Sequence, residues 1–287
     1  MGKYKFMRQD YFSKNRDEIK SIAKQHDSYS LVDLKALLSS LKDKGLVSYS
    51  MTSNKFYDRL VDIGLLSFSV FLDGGYITRY SFHKDLSDEK LLVASKKRAF
   101  LSMSSSLNYQ GLSSYRDDFV FVSQEQTSKD FYSNPELTQK AIDNAFAKDY
   151  RRTHKIGKYN NKHIVFLEPK NTKDFGVVEV KGVRVSNVNR ALVEMVVNVQ
   201  YFRNSKEVIG VFSKIKDYIN IDEVFEIVEK FDFIYPYYQS IGYILEEIGF
   251  NKEELYKFKE RISEFDFYTD KNQVNYTYIP YWKMYVM

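Results

Sequence analysis

Residues 66 to 82 constrain the fold of this chain more tightly than any other stretch. Leu66, Phe68, Val70 and Leu72 alternate with Ser67, Ser69 and Phe71, the period of a β-strand. Asp73-Gly74 follows, a pair suited to a tight hairpin turn, and Tyr76 to Phe82 reads as the returning strand. Immediately upstream, Phe56, Leu60 and Ile63 are spaced four and three apart, so a helix beginning near Thr52 buries one face. Gly64 fits the left-handed position that stops it. A helix therefore runs almost directly into a hairpin.

Two more helix patterns precede this pair. Ser30 with Asp33 resembles a capping box, and Leu34, Leu37, Leu38 and Leu41 keep helical period up to a stop at Gly45. Ser13 is the expected cap of a first helix that buries Ile19, Ile22 and Ala23 and ends near His26. Three helices closed by a hairpin is the order of a winged helix-turn-helix, assigned to residues 1–85. From residue 86 the pattern becomes mixed α/β. "AFLSMSSSLNYQGL" reads as a strand end and a short helix stopped at Gly111, and "DFVFVSQ" as a strand. "NPELTQKAIDNAFAKDY" is helical with Pro135 in its first turn, and "KHIVFLEP" and "FGVVEVKGVRVSN" are strands. Residues 187–265 form a helical run punctuated by caps at Asn220 and Asn251, each with an acidic residue three further on. "VNYTYIPYWKMYV" is a strand-like tail in which Pro280 implies an edge or bulge. The expected fold class is α+β: a winged helix-turn-helix, then a mixed α/β domain over 86–287 that ends in helices and a terminal strand.

Composition narrows the function classes. The 287 residues are 44% hydrophobic and 28% charged with a mean hydropathy of −0.45, a globular composition. No apolar run approaches the ~20 residues of a membrane span. The N-terminus shows no apolar core of a secretory signal, and Phe6 stands where a myristoylation site needs Ser or Thr. There are no cysteines, which removes disulfides, thiol catalysis and Cys-based zinc sites together. These features point to a cytoplasmic protein with no membrane partner. The charge is unevenly placed. Residues 1–85 carry 14 Lys/Arg against 10 Asp/Glu and residues 86–185 carry 17 against 12, whereas residues 186–287 carry 12 against 16. A basic front half suits a nucleic-acid partner.

With Phe56, Leu60 and Ile63 turned inward, the helix near Thr52 presents Asn54, Tyr57 and Asp58 outward, with Lys55 on the flank and Ser53 and Arg59 at the boundary. Asn can pair with adenine, Arg or Lys with guanine, and Ser or Tyr with phosphates. The expected DNA-binding set is Ser53, Asn54, Lys55, Tyr57, Arg59 and Arg79, with Arg79 beside the hairpin tip at Gly74-Gly75. Asp58 on the same face repels phosphates. Lys14, Arg16, Lys20 and Lys24 on the first helix could add phosphate contacts.

Enzyme signatures are sparse. The chain has no Gly-rich phosphate loop, HExxH, GxSxG or kinase set. His26, His83, His154 and His163 are scattered without metal-ligand spacing, so no metal, cofactor or catalytic residue is assigned. The sharpest alternative is "VVEVKG", where Glu179 and Lys181 on a strand, with Glu168 or Asp149 upstream, resemble a Mg²⁺-dependent nuclease site. The acid-x-Lys spacing also begins at Glu18, Asp33, Asp88 and Glu168, so a paired surface charge explains it more simply.

The join between the halves carries a family resemblance. "KRAFLSMSSSLNYQGLSSYRDDFVFVSQEQTSKDF" is similar to the signature of AbiEi-type antitoxins, the regulators of AbiE abortive-infection systems. Phe100, Leu101, Ser102, Ser106, Leu107, Gly111 and Leu112 match its first part, and Phe119 to Ser123 its strand. "VRVSNVNRALVEMV" resembles a second box at Val183, Val185, Arg190, Leu192, Val193 and Glu194. "YQSIGYILEEIGF" resembles a third at Gly242, Tyr243, Leu245, Glu246 and Gly249. Ser106 and Ala191 stand where the family prefers Ala and Thr.

The resemblance implies a type IV antitoxin with two activities. Its winged helix is expected to bind inverted repeats in its own promoter and repress the operon. Its C-terminal domain is expected to counteract a nucleotidyltransferase toxin, AbiEii, in phage defence without a stable complex. For that second activity the basic run Arg151, Arg152 and His154, with Arg184, Arg190 and Glu194 from the second box, is the candidate patch. A solvated loop and a structural Arg190–Glu194 helix pair is the competing account. A winged helix that docks on a protein and inhibits it by contact is the third functional alternative.

Overall fold

A computed structural model describes residues 10–115, 119–127, 136–235, 237–271 and 275–287. The chain divides into two compact units, Met1–Lys96 and Lys97–Met287. It is a mixed α/β protein, with helices in both units and a mixed sheet.

The first unit begins with α1 (Tyr11–Lys14) and α2 (Arg16–Ala23). Ser13 is not the cap. Asp10 is, its carboxylate accepting from the Ser13 amide at 2.8 Å, and the helix breaks at Asn15, whose side chain donates to the Leu46 carbonyl at 3.0 Å. In α3 (Leu31–Asp43) the capping box is complete, with the Asp33 amide donating to Ser30 at 3.1 Å and the Ser30 amide to Asp33 at 2.7 Å. Thr52 caps α4 (Ser53–Asp62). The strands β1 (Leu66–Leu72) and β2 (Gly75–Ser81) pair antiparallel, and positive φ at Asp73 and Gly74 makes the tight turn. A further helix, α5 (Asp88–Ala94), belongs to this unit, which therefore runs past the boundary expected at residue 85.

The core of this unit holds the inward stripes of α2, α3 and α4: Ile19 and Ala23, Leu34, Leu37, Leu38 and Leu41, then Phe56, Leu60 and Ile63. Tyr80 of β2 joins them and bridges to Tyr29, so the hairpin is tied back to the segment before α3.

The second unit is built on a six-stranded run. Its strands are β3 (Phe100–Leu101), β4 (Phe119–Ser123), β5 (Ile156–Tyr159), β6 (Lys162–Leu167), β7 (Val177–Val180) and β8 (Val183–Ser186). Their spatial order is β5-β6-β4-β3-β8-β7. The β4/β6 and β3/β8 pairs are parallel and the others antiparallel. Between strands lie α6 (Met103–Tyr109) and α7 (Gln139–Phe146), the latter capped by Thr138. Pro135 lies outside the described residues.

The helical run comprises α8 (Val188–Val197), α9 (Ser205–Phe212), α10 (Ile221–Phe231), α11 (Tyr237–Ile248) and α12 (Tyr256–Glu260). Buried faces of these helices pack with Phe121, Val165 and the tail in one hydrophobic core. The tail is not the single strand its pattern suggests. Pro280 sits in a turn between β10 (Thr277–Ile279) and β11 (Met284–Val286), which with β9 (Phe267–Tyr268) forms a small sheet in the order β10-β11-β9. No helix among the described residues is long and apolar enough to cross a membrane.

Candidate nucleic-acid interface

The amino end of α4 is an exposed polar feature of the first unit. Thr52 caps it, and the buried Phe56 and Leu60 hold the helix by its other face. Ser53, Asn54, Lys55 and Asp58 are exposed as a result, and the free amides and dipole of the first turn add positive potential. A groove of about 560 Å³ runs along this end, walled by Leu31, Leu34 and Lys35 of α3, by Ser53, Asn54, Phe56, Tyr57 and Asp58, and by Tyr80 of β2. Tyr57 is half-buried, its ring edge-on to Tyr80 at 5.3 Å, so its position is fixed by the hairpin. The Tyr80 hydroxyl is held neutral to higher pH than usual by burial and by Tyr57 beside it.

Two arginines of the expected DNA-binding set are used elsewhere. The Arg59 guanidinium pairs with Asp10 and lies 5.6 Å over the Phe12 ring, toward α1 and away from the groove. The Asp10 carboxyl is held below its ordinary range, chiefly by the hydrogen bond from the Ser13 amide and further by Arg59. Arg79 is not at the hairpin tip. It pairs in register with Phe68, donates to the Ser28 carbonyl at 3.2 Å and to the Ser28 hydroxyl, and lies 3.6 Å from Asp33. Burial lowers its pKa, with Asp33 opposing. Arg79 thus ties the hairpin to the cap of α3. The tip itself carries Asp73, Gly74 and Gly75, with the exposed rings of Phe71 and Tyr76 edge-on at 5.3 Å. On α1 and α2, Lys14, Arg16 and Lys24 are exposed and Lys20 is half-buried.

In the second unit the structure takes the candidate patch apart. Arg190 is fully buried. Its guanidinium pairs with Glu194 at 2.7 Å and with Glu125 at 3.0 Å, and donates to Thr172 and to the Phe175 carbonyl at 2.6 Å. The rings of Phe100 and Phe231 lie 4.8 and 5.1 Å from it, and its Nη2 has no hydrogen-bond partner among the described residues. Both carboxylates are fully engaged. Glu194 accepts from the Met103 amide at 3.2 Å and from Ser186 at 2.8 Å, and Glu125 from the amides of Thr172 and Asp174 at 2.9 Å. Met103 reaches this position with a φ of 49°, a strained backbone for a non-glycine residue. The Arg190–Glu194 pair is therefore a buried structural clamp, although Glu194 also lines a cavity of about 190 Å³ with Met103, Ser123 and Phe231.

The remaining members lie apart. Arg184 on β8 pairs with Asp174, which also binds Arg98 at 2.6 Å. Burial alone raises the Asp174 carboxyl, yet the hydrogen bonds from the two arginines hold it below its ordinary value. Arg152 donates to the Gln200 carbonyl at 2.8 Å and lies 5.8 Å over Tyr201. Arg151 and His154 are exposed in the segment before β5, which is separated from β8 by β6, β4 and β3.

Sequence reasoning missed Glu125, Thr172 and the Met103 amide. Glu125 is 65 residues from Arg190 and reads as loop, so no local period points to it. The nuclease-like residues are also dispersed. Glu168 directly follows β6 and binds Lys155 at 2.7 Å, while Glu179 lies on β7, four strand spacings or roughly 19 Å across the sheet. Lys181 lies in the β7–β8 turn at a φ of 48°. Among the described residues no group of three or more His, Asp or Glu could hold a metal ion.

The third family-like box is structural as well. Gly242 of α11 lies against Trp282, where an added Cβ would come within 2.3 Å of the indole. Gln239 donates to the carbonyls of Phe265, Trp282 and Lys283, and the indole N–H donates to Glu246. This box holds the tail.

No protein-family model matches the chain. No curated protein matches it. Among solved structures it is similar to the crystal structure of the RV2827C protein from Mycobacterium tuberculosis, with a TM-score of 0.52 and 12% identity over 95% of this chain and 90% of that one, a likeness of fold.

Proposed function

We propose that this chain is a DNA-binding antitoxin and autorepressor of the AbiEi type. Its N-terminal helices and hairpin act as a winged helix-turn-helix on inverted repeats in its own promoter. Its C-terminal unit counteracts a nucleotidyltransferase toxin in the cytoplasm, without a stable complex between the two. The observation that carries the DNA half is the first turn of α4. Ser53, Asn54 and Lys55 stand exposed there, rooted by Phe56 and Leu60 and braced by Tyr57 against the hairpin. A short polar turn held rigidly from behind is what base readout in the major groove requires. The antitoxin half rests on the sequence resemblance alone, whose matched Phe100, Arg190 and Glu194 meet in one buried structural cluster.

The test is a gel shift of a duplex carrying the chain's own promoter. Replacing Asn54 and Lys55 together by alanine lowers affinity at least tenfold, as the loss of one good base contact and one phosphate contact requires. Unchanged retardation by the double variant ends the DNA reading. For the antitoxin half, co-expression with a nucleotidyltransferase encoded beside it restores growth, and failure of the intact chain to do so discards that half.

A protein-docking role has one specific observation in its favour. Leu31 and Val32 on α3 are 56% and 73% exposed, and Leu31 lines the groove. Co-purification of the neighbouring gene product, with no retarded duplex, selects that reading instead.

A further inference from the structure

Asp58 is out of place on a surface that meets a polyanion. It is exposed, lies one turn beyond Asn54 and lines the same groove. Among the described residues no ion pair involves Asp58, and Arg59 beside it is committed to Asp10. Lys35 shares the groove from α3 but makes no ion pair with it. Such a carboxylate weakens attraction to every phosphate nearby, so it opposes indiscriminate binding.

The edges of the bases respond differently. In the major groove, cytosine offers its N4 amino group and adenine its N6 amino group to an acceptor. Guanine presents N7 and O6 and thymine presents O4, all lone pairs that a carboxylate repels. From this contrast we infer that Asp58 is a specificity-determining residue, which accepts a hydrogen bond from the amino group of cytosine or adenine and rejects guanine and thymine at one operator position. Asn54, a turn nearer the helix start, reads a neighbouring position. The ligand is a duplex carrying adjacent amino-bearing bases on one strand. This rests on α4 being the DNA-contacting helix.

The experiment selects duplexes from a random library with the full chain, then measures affinity for the enriched site and for a scrambled duplex. Asp58→Asn and Asp58→Ala are compared with the original, and far-UV circular dichroism verifies that both fold. The ratio of the two affinities falls about tenfold in the variants, mainly through tighter binding to the scrambled duplex, and guanine or thymine becomes tolerated at one position. If the original chain enriches a site and both variants keep the same ratio and base preference, the role of Asp58 is overturned while the DNA reading stands. If the original chain enriches nothing and retards no duplex, the DNA reading itself fails and this inference with it.

Discussion

Arg190 shows how one residue can carry a motif without carrying an activity. It is fully buried between two carboxylates and two aromatic rings, and each carboxylate is further tied to backbone amides. Removing the guanidinium leaves Glu125 and Glu194 charged in the interior without their cation, and such losses cost about 3–5 kcal/mol. Arg190→Ala therefore lowers the stability of the second unit by that order, read as a reduced midpoint in urea. Arg190→Lys recovers little, because an ammonium cannot span both carboxylates while lying flat between Phe100 and Phe231. The helical spacing of Arg190 and Glu194 is visible in the sequence, but their burial is not, since it depends on Glu125, Thr172 and Phe175 arriving from other segments. Arg79 makes the same point. Its place on a strand is legible, yet the side chain on that strand is captured by Ser28 and Asp33.

Elements were legible wherever a short-range rule acts alone. The capping box at Ser30, the helix start near Thr52 and the Asp73-Gly74 turn are set by contacts within four residues, and each is present. Where a local pattern competed with tertiary packing, packing prevailed. Asn15 breaks the first helix, because its side chain reaches the Leu46 carbonyl and the chain restarts beneath it. The tail folds into two strands because Trp282 is drawn into the core against Gly242. That contact makes a test of the element. Gly242→Ala sets a methyl against the indole, and overpacking of this kind costs typically 1–3 kcal/mol. Thermal unfolding of the variant shows the loss, and adding Trp282→Phe, which frees room, recovers part of it.

At the scale of the whole molecule, charge is distributed more sparingly than the count of lysines and arginines suggests. Arg59 and Arg79 are engaged internally, and the cations proposed to meet phosphates are Lys14, Arg16, Lys20, Lys24, Lys55 and the groove-lining Lys35. At about −0.9 per phosphate neutralised, these six cations give a log–log salt slope of roughly −5.4 for each bound chain. Fluorescence anisotropy of the promoter duplex between low and moderate salt measures it. A markedly steeper slope means that cations beyond these six also reach the DNA. The basic patch proposed for that unit illustrates the limit of charge counting. Arg151, Arg184 and Arg190 look like neighbours in composition, but the sheet order sets β5 and β8 apart and Arg190 is enclosed. By itself the sequence determined the helical stripes of the first unit, its hairpin, the capping box at Ser30 and the polar first turn of α4, because those features follow from periods and hydrogen bonds that close within a turn or two. Tertiary structure alone decided which charges remain on the surface, because a buried ion pair is selected by partners tens of residues away whose approach no local spacing encodes.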